Sequence, residues 1–329
     1  MSRIIEEQRS KKAHSSGEAF FQCAAVFFPY LLPAELASIS STCNSLYQIA
    51  KLVTARRTSD ASRNFENVPI PFLNPTVGDS QPYPYFLYTP TQVLQMKPGL
   101  RQPWGSDNDS QMCQGHTRPD PFLFRVEGGI DCGCVDKGGI CDDCPCMECG
   151  PSCMCDFGCG NRMTQAGVSV KLKIVKDDRK GWGLYAAELI PEGKFVCEYT
   201  GELISTKESR QRQQKYDELA SNGCLTPALL VVKEHFPSGN VCIRINIDAT
   251  RIGNVARFIN HSCDGGNLDT VIVRSSGSLL SRVCFFASRE IQENEEISFS
   301  YGSFRLKPNG QRCFCDTSSC TGFLPSEHT

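Results

Sequence analysis

The chain has 329 residues, 40% hydrophobic and 21% charged, with a formal net charge of −2. That length holds two or three domains and a large core, and the composition is that of a globular protein. No run of about 18 uncharged apolar residues occurs, which excludes a helical membrane span, and the near-neutral balance argues against non-specific DNA binding.

Met1 to Lys12 carries charges of both signs and no apolar signal-peptide core. A cytosolic or nuclear address is therefore expected, where disulfides are disfavoured. Against that background 20 cysteines need another explanation. Within residues 1–65, Leu32, Leu36, Ile39, Cys43, Leu46 and Ile49-Ala50 recur at three- and four-residue steps. This is the amphipathic helical period, with Pro33 suited to a first turn. The segment resembles an F-box-like helical adaptor, and it reads equally as a plain helical extension packing on the next domain. Residues 66–129 are rich in proline and aromatics (Val68-Pro-Ile-Pro-Phe72, Pro82-Tyr-Pro-Tyr-Phe-Leu-Tyr88), which predicts short extended pieces and turns packing on the C-terminal part of the chain. Trp104 to Ser110 reads as an exposed loop.

Residues 130–167 hold Cys132, Cys134, Cys141, Cys144, Cys146, Cys149, Cys153, Cys155 and Cys159, nine cysteines within 28 residues. The block has almost no apolar side chains, so metal must substitute for a core. An odd count argues against a disulfide knot, and nine is not a multiple of four. Nine thiolates satisfy three tetrahedral zinc ions when three of them bridge. No histidine lies among them, and every ligand position closes, so the metal is structural.

From Val168 the texture becomes that of short strands. Val170-x-Leu172-x-Ile174 alternates, Lys176 to Gly181 turns, and Phe195–Tyr199, Ile243–Ile247 and Val283–Ala287 are further strands. Lys207 to Ala220 is charged and helix-like. Many short strands with one helix argue for a mostly β fold and against a doubly wound sheet. The Gly181-Trp-Gly183 turn is too short for a dinucleotide fingerprint.

Lys180-Gly-Trp-Gly183, Arg257-Phe-Ile-Asn-His-Ser-Cys263, Phe299-Ser-Tyr-Gly302 and the final Cys313-x-Cys315-x4-Cys320, set behind the cysteine block, resemble a SET-domain histone-lysine N-methyltransferase with pre-SET and post-SET zinc modules. The resemblance is to the histone H3 lysine-9 class, in its plant-type SU(VAR)3-9-related subgroup. It implies a SET β-fold of short sheets with a threaded C-terminal segment (residues 168–302), a three-zinc pre-SET module and a post-SET module over 309–325. S-adenosylmethionine is the implied cofactor, held by Lys180, Gly181, Trp182, Gly183, Arg257, Asn260, His261 and Tyr301, with Trp182 as a flat apolar wall. Tyr301 and Tyr199 are the implied catalytic hydroxyls. Phe299 sits where the family chooses between Phe and Tyr, and Phe leaves space for a second or third methyl. Cys263 joins Cys313, Cys315 and Cys320 around a fourth zinc that pins the tail over the active site.

Two departures stand out. Pro227-Ala228 replaces an aromatic that often precedes Leu229-Leu230, and Ser300 replaces the usual acidic residue before Tyr301. The implied activity is methylation of a histone H3 tail lysine in the nucleus, on the chromosome, serving chromatin silencing. Chromatin-targeting partners are expected through residues 1–130, with no sequence-specific DNA binding and no membrane. Two alternatives remain at this point: a catalytically weak SET protein serving as an interaction module, and a methyltransferase for a non-histone lysine.

Overall fold

The structure is a computed structural model, and it describes residues 19–76, 82–94, 102, 120–126, 147–156, 158–221, 226–235, 242–302 and 310–325. The Trp104–Ser110 stretch lies outside the described residues.

Residues 19–27 are helical and lead into α1 (Pro33–Ser40) and α2 (Asn44–Ser59). Pro33 occupies the first turn of α1, and the Glu35 carboxylate accepts the Leu32 N–H at 2.7 Å. The continuous period from Leu32 to Ala50 is thus split into two helices. The cause is the Ser38 to Thr42 run, in which the hydroxyls of Ser38, Ser40, Ser41 and Thr42 bond carbonyls three or four residues back. Such bonds compete with the helical ladder, and Cys43 swings to φ −158°. Ala24, Phe28, Leu36, Leu46, Ala50 and Val53 form a small core. Arg57, next on the same face, is fully buried. Its guanidinium donates to the carbonyls of Pro29 (3.1 Å) and Leu31 (2.7 Å) and to the Tyr83 hydroxyl (2.9 Å). A buried charge is tolerated only when its donors are met this way, and here the bonds fasten the helical unit to the proline-rich segment.

That segment supplies two two-residue strands, β1 (Phe72–Leu73) and β2 (Leu87–Tyr88). β1 lies parallel to β4 (Leu172–Asp177), which forms a hairpin with β5 (Gly181–Ala186). β2 lies parallel to β9 (Cys242–Gly253), whose twelve residues also pair with β7 (Gly201–Leu203) and β8 (Leu229–His235). A third sheet runs β3 (Met147–Glu148), β11 (Leu268–Ser275), β12 (Arg282–Ala287) and β6 (Phe195–Glu198). α3 (Thr206–Ser221) packs on β9, where Arg212 meets Glu202 (2.6 Å) and Asp248 (2.8 Å). The fold is mostly β, built of short sheets.

One core joins the sheets. Phe72, Phe86 and Phe258 meet edge to face at 5.5–5.9 Å, a geometry aromatic rings favour. Along β12 the period of two sends Val283, Phe285 and Ala287 into this core, while Cys284 faces a second cluster with Phe195 and Val273.

The last pair is the smallest. β10 (Asn260–His261) lies parallel to β13 (Ser298–Phe299). The chain through β13 is held on both sides: Ile297 N–H donates to the Leu184 carbonyl, and the Ser262 and Asn267 N–H groups donate to Phe299 and Ser298. This is the threaded C-terminal segment.

Candidate active site and zinc centres

The β10–β13 register places Asn260 beside Ser298 and His261 beside Phe299. Tyr301 follows at once, and its backbone N–H donates to His261 Nδ1 at 3.1 Å. The neutral ring then carries its proton on Nε2, which faces Cys263 Sγ at 3.3 Å. Burial holds the His261 pKa below its ordinary value, against the Phe299 carbonyl and Asp264, which act the other way.

Four aromatic rings and the imidazole run in sequence from here. His261 and Tyr301 centroids are 5.2 Å apart, Tyr301 and Phe299 5.0 Å, Phe299 and Phe285 4.7 Å, and Phe285 and Tyr199 6.3 Å. Although Tyr301 is 38% exposed, its hydroxyl turns inward and donates to the Ile259 carbonyl at 2.8 Å. The buried Tyr199 hydroxyl donates to the Ala228 carbonyl at 2.9 Å. Burial pushes both phenols well above their usual range; Glu296 adds to the effect at Tyr301, and the nearby Tyr301 adds to it at Tyr199. Both are neutral hydroxyls whose protons are committed to carbonyls, which leaves their oxygen lone pairs as acceptors.

The β4–β5 turn abuts this cluster. Asp177 accepts the N–H groups of Arg179 (2.7 Å) and Lys180 (2.8 Å), which sets the turn. Lys180 Nζ meets Glu296 Oε2 at 2.6 Å, while the other Glu296 oxygen accepts from Asn260 Nδ2 at 2.8 Å. Gly183 lies against Asn260: a Cβ there would stand 3.0 Å from Nδ2. Gly181 has φ +79° and open space where its Cβ would be. An accessible backbone turn next to a half-buried amide fits a ligand with polar ends, as the implied cofactor is.

Two expected cofactor contacts look elsewhere. The Trp182 indole packs edge-on against Phe72 at 5.7 Å with the Lys176 ammonium over it at 5.9 Å, because strand alternation sends it to the face opposite Gly181 and Gly183. The turn therefore offers backbone, not an aromatic wall. The Arg257 guanidinium donates to the carbonyls of Ala249 (2.9 Å) and Thr250 (3.0 Å) and lies over Phe86 and Phe258. Burial lowers its pKa to about 10. It braces the turn that leads to Asn260 and is not brought into the cluster.

Cys263, Cys313, Cys315 and Cys320 converge, with all four Sγ atoms within 4.8 Å of one another. The 3.8 Å between Cys263 and Cys313 sulfurs matches the edge of a tetrahedron with a Zn–S bond of about 2.3 Å, which is about 3.8 Å. At Cys315 burial, which opposes ionisation, is outweighed by hydrogen bonds from Thr317 and Cys263, and the thiol is held at about 6. This set fits a structural zinc.

In the cysteine block, Cys149, Cys155 and Cys159 form a second group, and the Cys149–Cys159 sulfurs are again 3.8 Å apart. Arg162, buried, donates to Cys155 Sγ at 3.4 Å. Cys153 stands outside that group and accepts the Gly150 N–H at 3.4 Å. Cys132, Cys134, Cys141, Cys144 and Cys146 lie outside the described residues.

Sequence reasoning missed three residues. Glu296 joins the turn to Asn260 without any spacing to mark it. Phe285 was legible only as a strand residue. Asn254 receives no motif, yet its side chain donates to the Glu198 carbonyl (2.7 Å) and accepts the Ala256 N–H (3.1 Å), which caps the turn into Arg257–Ile259.

The SET-domain family model matches residues 181–302. Histone-lysine N-methyltransferase SUVR3 of Arabidopsis thaliana is 48% identical over 334 residues, which span 95% of this chain and 94% of that protein. The chain belongs to the SET-domain histone-lysine N-methyltransferases. Histone-lysine N-methyltransferase SETMAR of Bos taurus is 32% identical over 81% of this chain and 89% of its own length. The solved methyltransferase domain of human SETMAR superposes with a TM-score of 0.59 at 26% identity, covering 81% of this chain and 97% of that one. SUVH6 of Arabidopsis thaliana, solved in complex with SAM, gives 0.55 at 27% identity over 81% of this chain and 55% of that one. As a SET-domain methyltransferase, the chain has its zinc-type cysteine groups at both ends of the described catalytic part.

Proposed function

We propose that this methyltransferase transfers methyl groups from S-adenosylmethionine to lysine 9 of the histone H3 tail, giving a di- or trimethyl product, in the nucleus. The observation that carries the reading is the parallel β10–β13 pair, which sets Asn260-His261 alongside Phe299 and Tyr301. When bound, S-adenosylmethionine would supply a methyl already activated on a sulfonium, so the residues here need only bind it and present a neutral lysine amine to it.

A lysine amine with its ordinary pKa near 10.4 is mostly protonated at neutral pH. An apolar channel beside Phe299 and the two tyrosine rings would favour the neutral, nucleophilic form. Tyr199 and Tyr301 accept the amine N–H groups and so turn its lone pair toward the methyl. Neither phenol acts as a base, since both are held neutral and their protons point at carbonyls. The Lys180–Gly183 backbone, Asn260 and His261 hold the cofactor, with Glu296 and Arg257 as positioning residues. Cys132, Cys134, Cys141, Cys144, Cys146, Cys149, Cys153, Cys155 and Cys159 would hold three zinc ions, and Cys263, Cys313, Cys315 and Cys320 a fourth. Residues 1–130 are the place for targeting partners.

The test is radiolabelled methyl transfer onto a panel of histone tail peptides, with mass spectrometry of the product. Label should enter the H3 tail and vanish when lysine 9 is replaced by arginine. Tyr301→Phe should cut turnover at least about a hundredfold, as expected for one positioned polar group, with cofactor affinity largely kept. Label on a non-histone lysine alone, or full turnover in Tyr301→Phe, overturns the reading.

A further inference from the structure

We propose that Phe285 is a specificity-determining residue: its ring is the back wall that sets how far Phe299 can withdraw from the amine pocket, and so how many methyl groups the pocket admits. The inference rests on the reading that Phe299, Tyr199 and Tyr301 line that pocket.

Phe285 is completely buried, and its centroid lies 4.7 Å from Phe299 and 6.3 Å from Tyr199. These two partners come from β13 and from the residue that follows β6, and Phe285 packs on both. Its own backbone is fixed on two sides, opposite Thr270 of β11 and opposite Cys197 of β6. The β12–β6 ladder slips register between Phe285 and Phe286. Such an irregularity re-aims a side chain and is enriched beside active sites. Phe299 sits on a two-residue strand, with the Tyr301 ring centroid 5.0 Å away and that of Phe285 4.7 Å away. The Phe299 backbone is held by β10 and by the Ser262 N–H, so its ring yields only where a packed neighbour yields, and the Phe285 ring at 4.7 Å is such a neighbour. Interiors packed to crystal density give way only where volume is removed. A methyl on the amine needs room of that order, and one methylene-sized change in a pocket discriminates about tenfold or more.

The experiment follows mono-, di- and trimethyl products on the accepted peptide over time for the full-length enzyme and four variants. Phe285→Leu should raise the ratio of the last to the first methyl-transfer rate at least about threefold. Phe299→Tyr should stall at monomethyl, and the double variant Phe285→Leu/Phe299→Tyr should recover a second methylation. Phe195→Leu, which removes a buried ring from the opposite face of the same sheet, should lower the Tm and leave the ratio unchanged. A wild-type ratio in Phe285→Leu, with Phe299→Tyr stalled as expected, overturns the inference and leaves the pocket reading standing. An unmoved product distribution in Phe299→Tyr removes the pocket reading, and the inference with it. An equal shift in Phe195→Leu assigns the effect to general loosening and also overturns it. Should Phe285→Leu fail to fold, Phe285→Met keeps the volume closer and is judged by the same ratio.

Discussion

Gly266 and Gly181 share a left-handed backbone, with φ of +80° and +79°, yet they carry different duties. A Cβ at Gly266 would stand 2.3 Å from the Ser298 carbonyl oxygen, which is backbone of β13 and cannot move aside. At Gly181 no atom lies within 4 Å of the added carbon. Both substitutions to alanine cost strain of about 1 kcal/mol from the dihedral alone. Only Gly266→Ala also forces β13 away from the 260–267 loop, so its total should reach about 2–3 kcal/mol. Thermal unfolding should show a drop of several degrees for Gly266→Ala and a much smaller one for Gly181→Ala; equal drops would show that the close approach to β13 carries no weight.

The C-terminal element is held to the catalytic part by two devices of unequal strength. Arg179 of the β4–β5 turn pairs with Asp316 at 2.5 Å and lies 5.9 Å from the Phe314 ring centroid. Both charged side chains are more than half exposed, so solvent screens the pair and its contribution is small. A structural zinc contributes about 10 kcal/mol or more to the fold it closes. A zinc held by the four cysteines would therefore decide the element. Elemental analysis should find Cys320→Ser one zinc short, with methyl transfer lost, because Cys263 then no longer anchors the tail beside His261 and Tyr301. Arg179→Ala should keep its zinc and most of its activity. Full activity in Cys320→Ser would separate the tail from the active site.

Across the whole molecule, buried arginines join the parts. Arg282 of β12 donates to Glu148 at 2.7 Å and to Thr164 at 2.6 Å, and meets Glu198 at 3.3 Å. Glu148 also accepts the Thr164 N–H at 2.7 Å, so one carboxylate ties the end of the cysteine block to the sheet carrying Phe285. Removing one partner of a buried pair leaves an uncompensated charge, which costs about 3–5 kcal/mol. Arg282→Ala should accordingly lower thermal stability by that order and make the cysteine block lose zinc to a chelator at a lower concentration. Unchanged stability would mean that Glu148 and Glu198 find other partners. Arg57 does for the helical unit what Arg282 does for the cysteine block, from the last turn of a helix whose other buried positions are apolar.

The Lys180–Gly183 turn and the alternation of β4 were legible in the chain itself, because turn chemistry and side-chain period are local properties. Cys263 as a fourth ligand of the tail came from the resemblance, and the four sulfurs converge as it requires. The break at Ser41–Cys43 was overlooked although its cause, a run of hydroxyl side chains, is written in the sequence. Only the tertiary structure decided that Trp182 faces the core, that Arg257 braces β9, and that Glu296 links Lys180 to Asn260. It alone brought Tyr301 to the Ile259 carbonyl, 42 residues away, and Phe285 against Phe299. Two-residue parallel strands have no period to read, and whether an arginine is buried depends on carbonyls that distant segments deliver to it; both are settled by the packing of the whole chain.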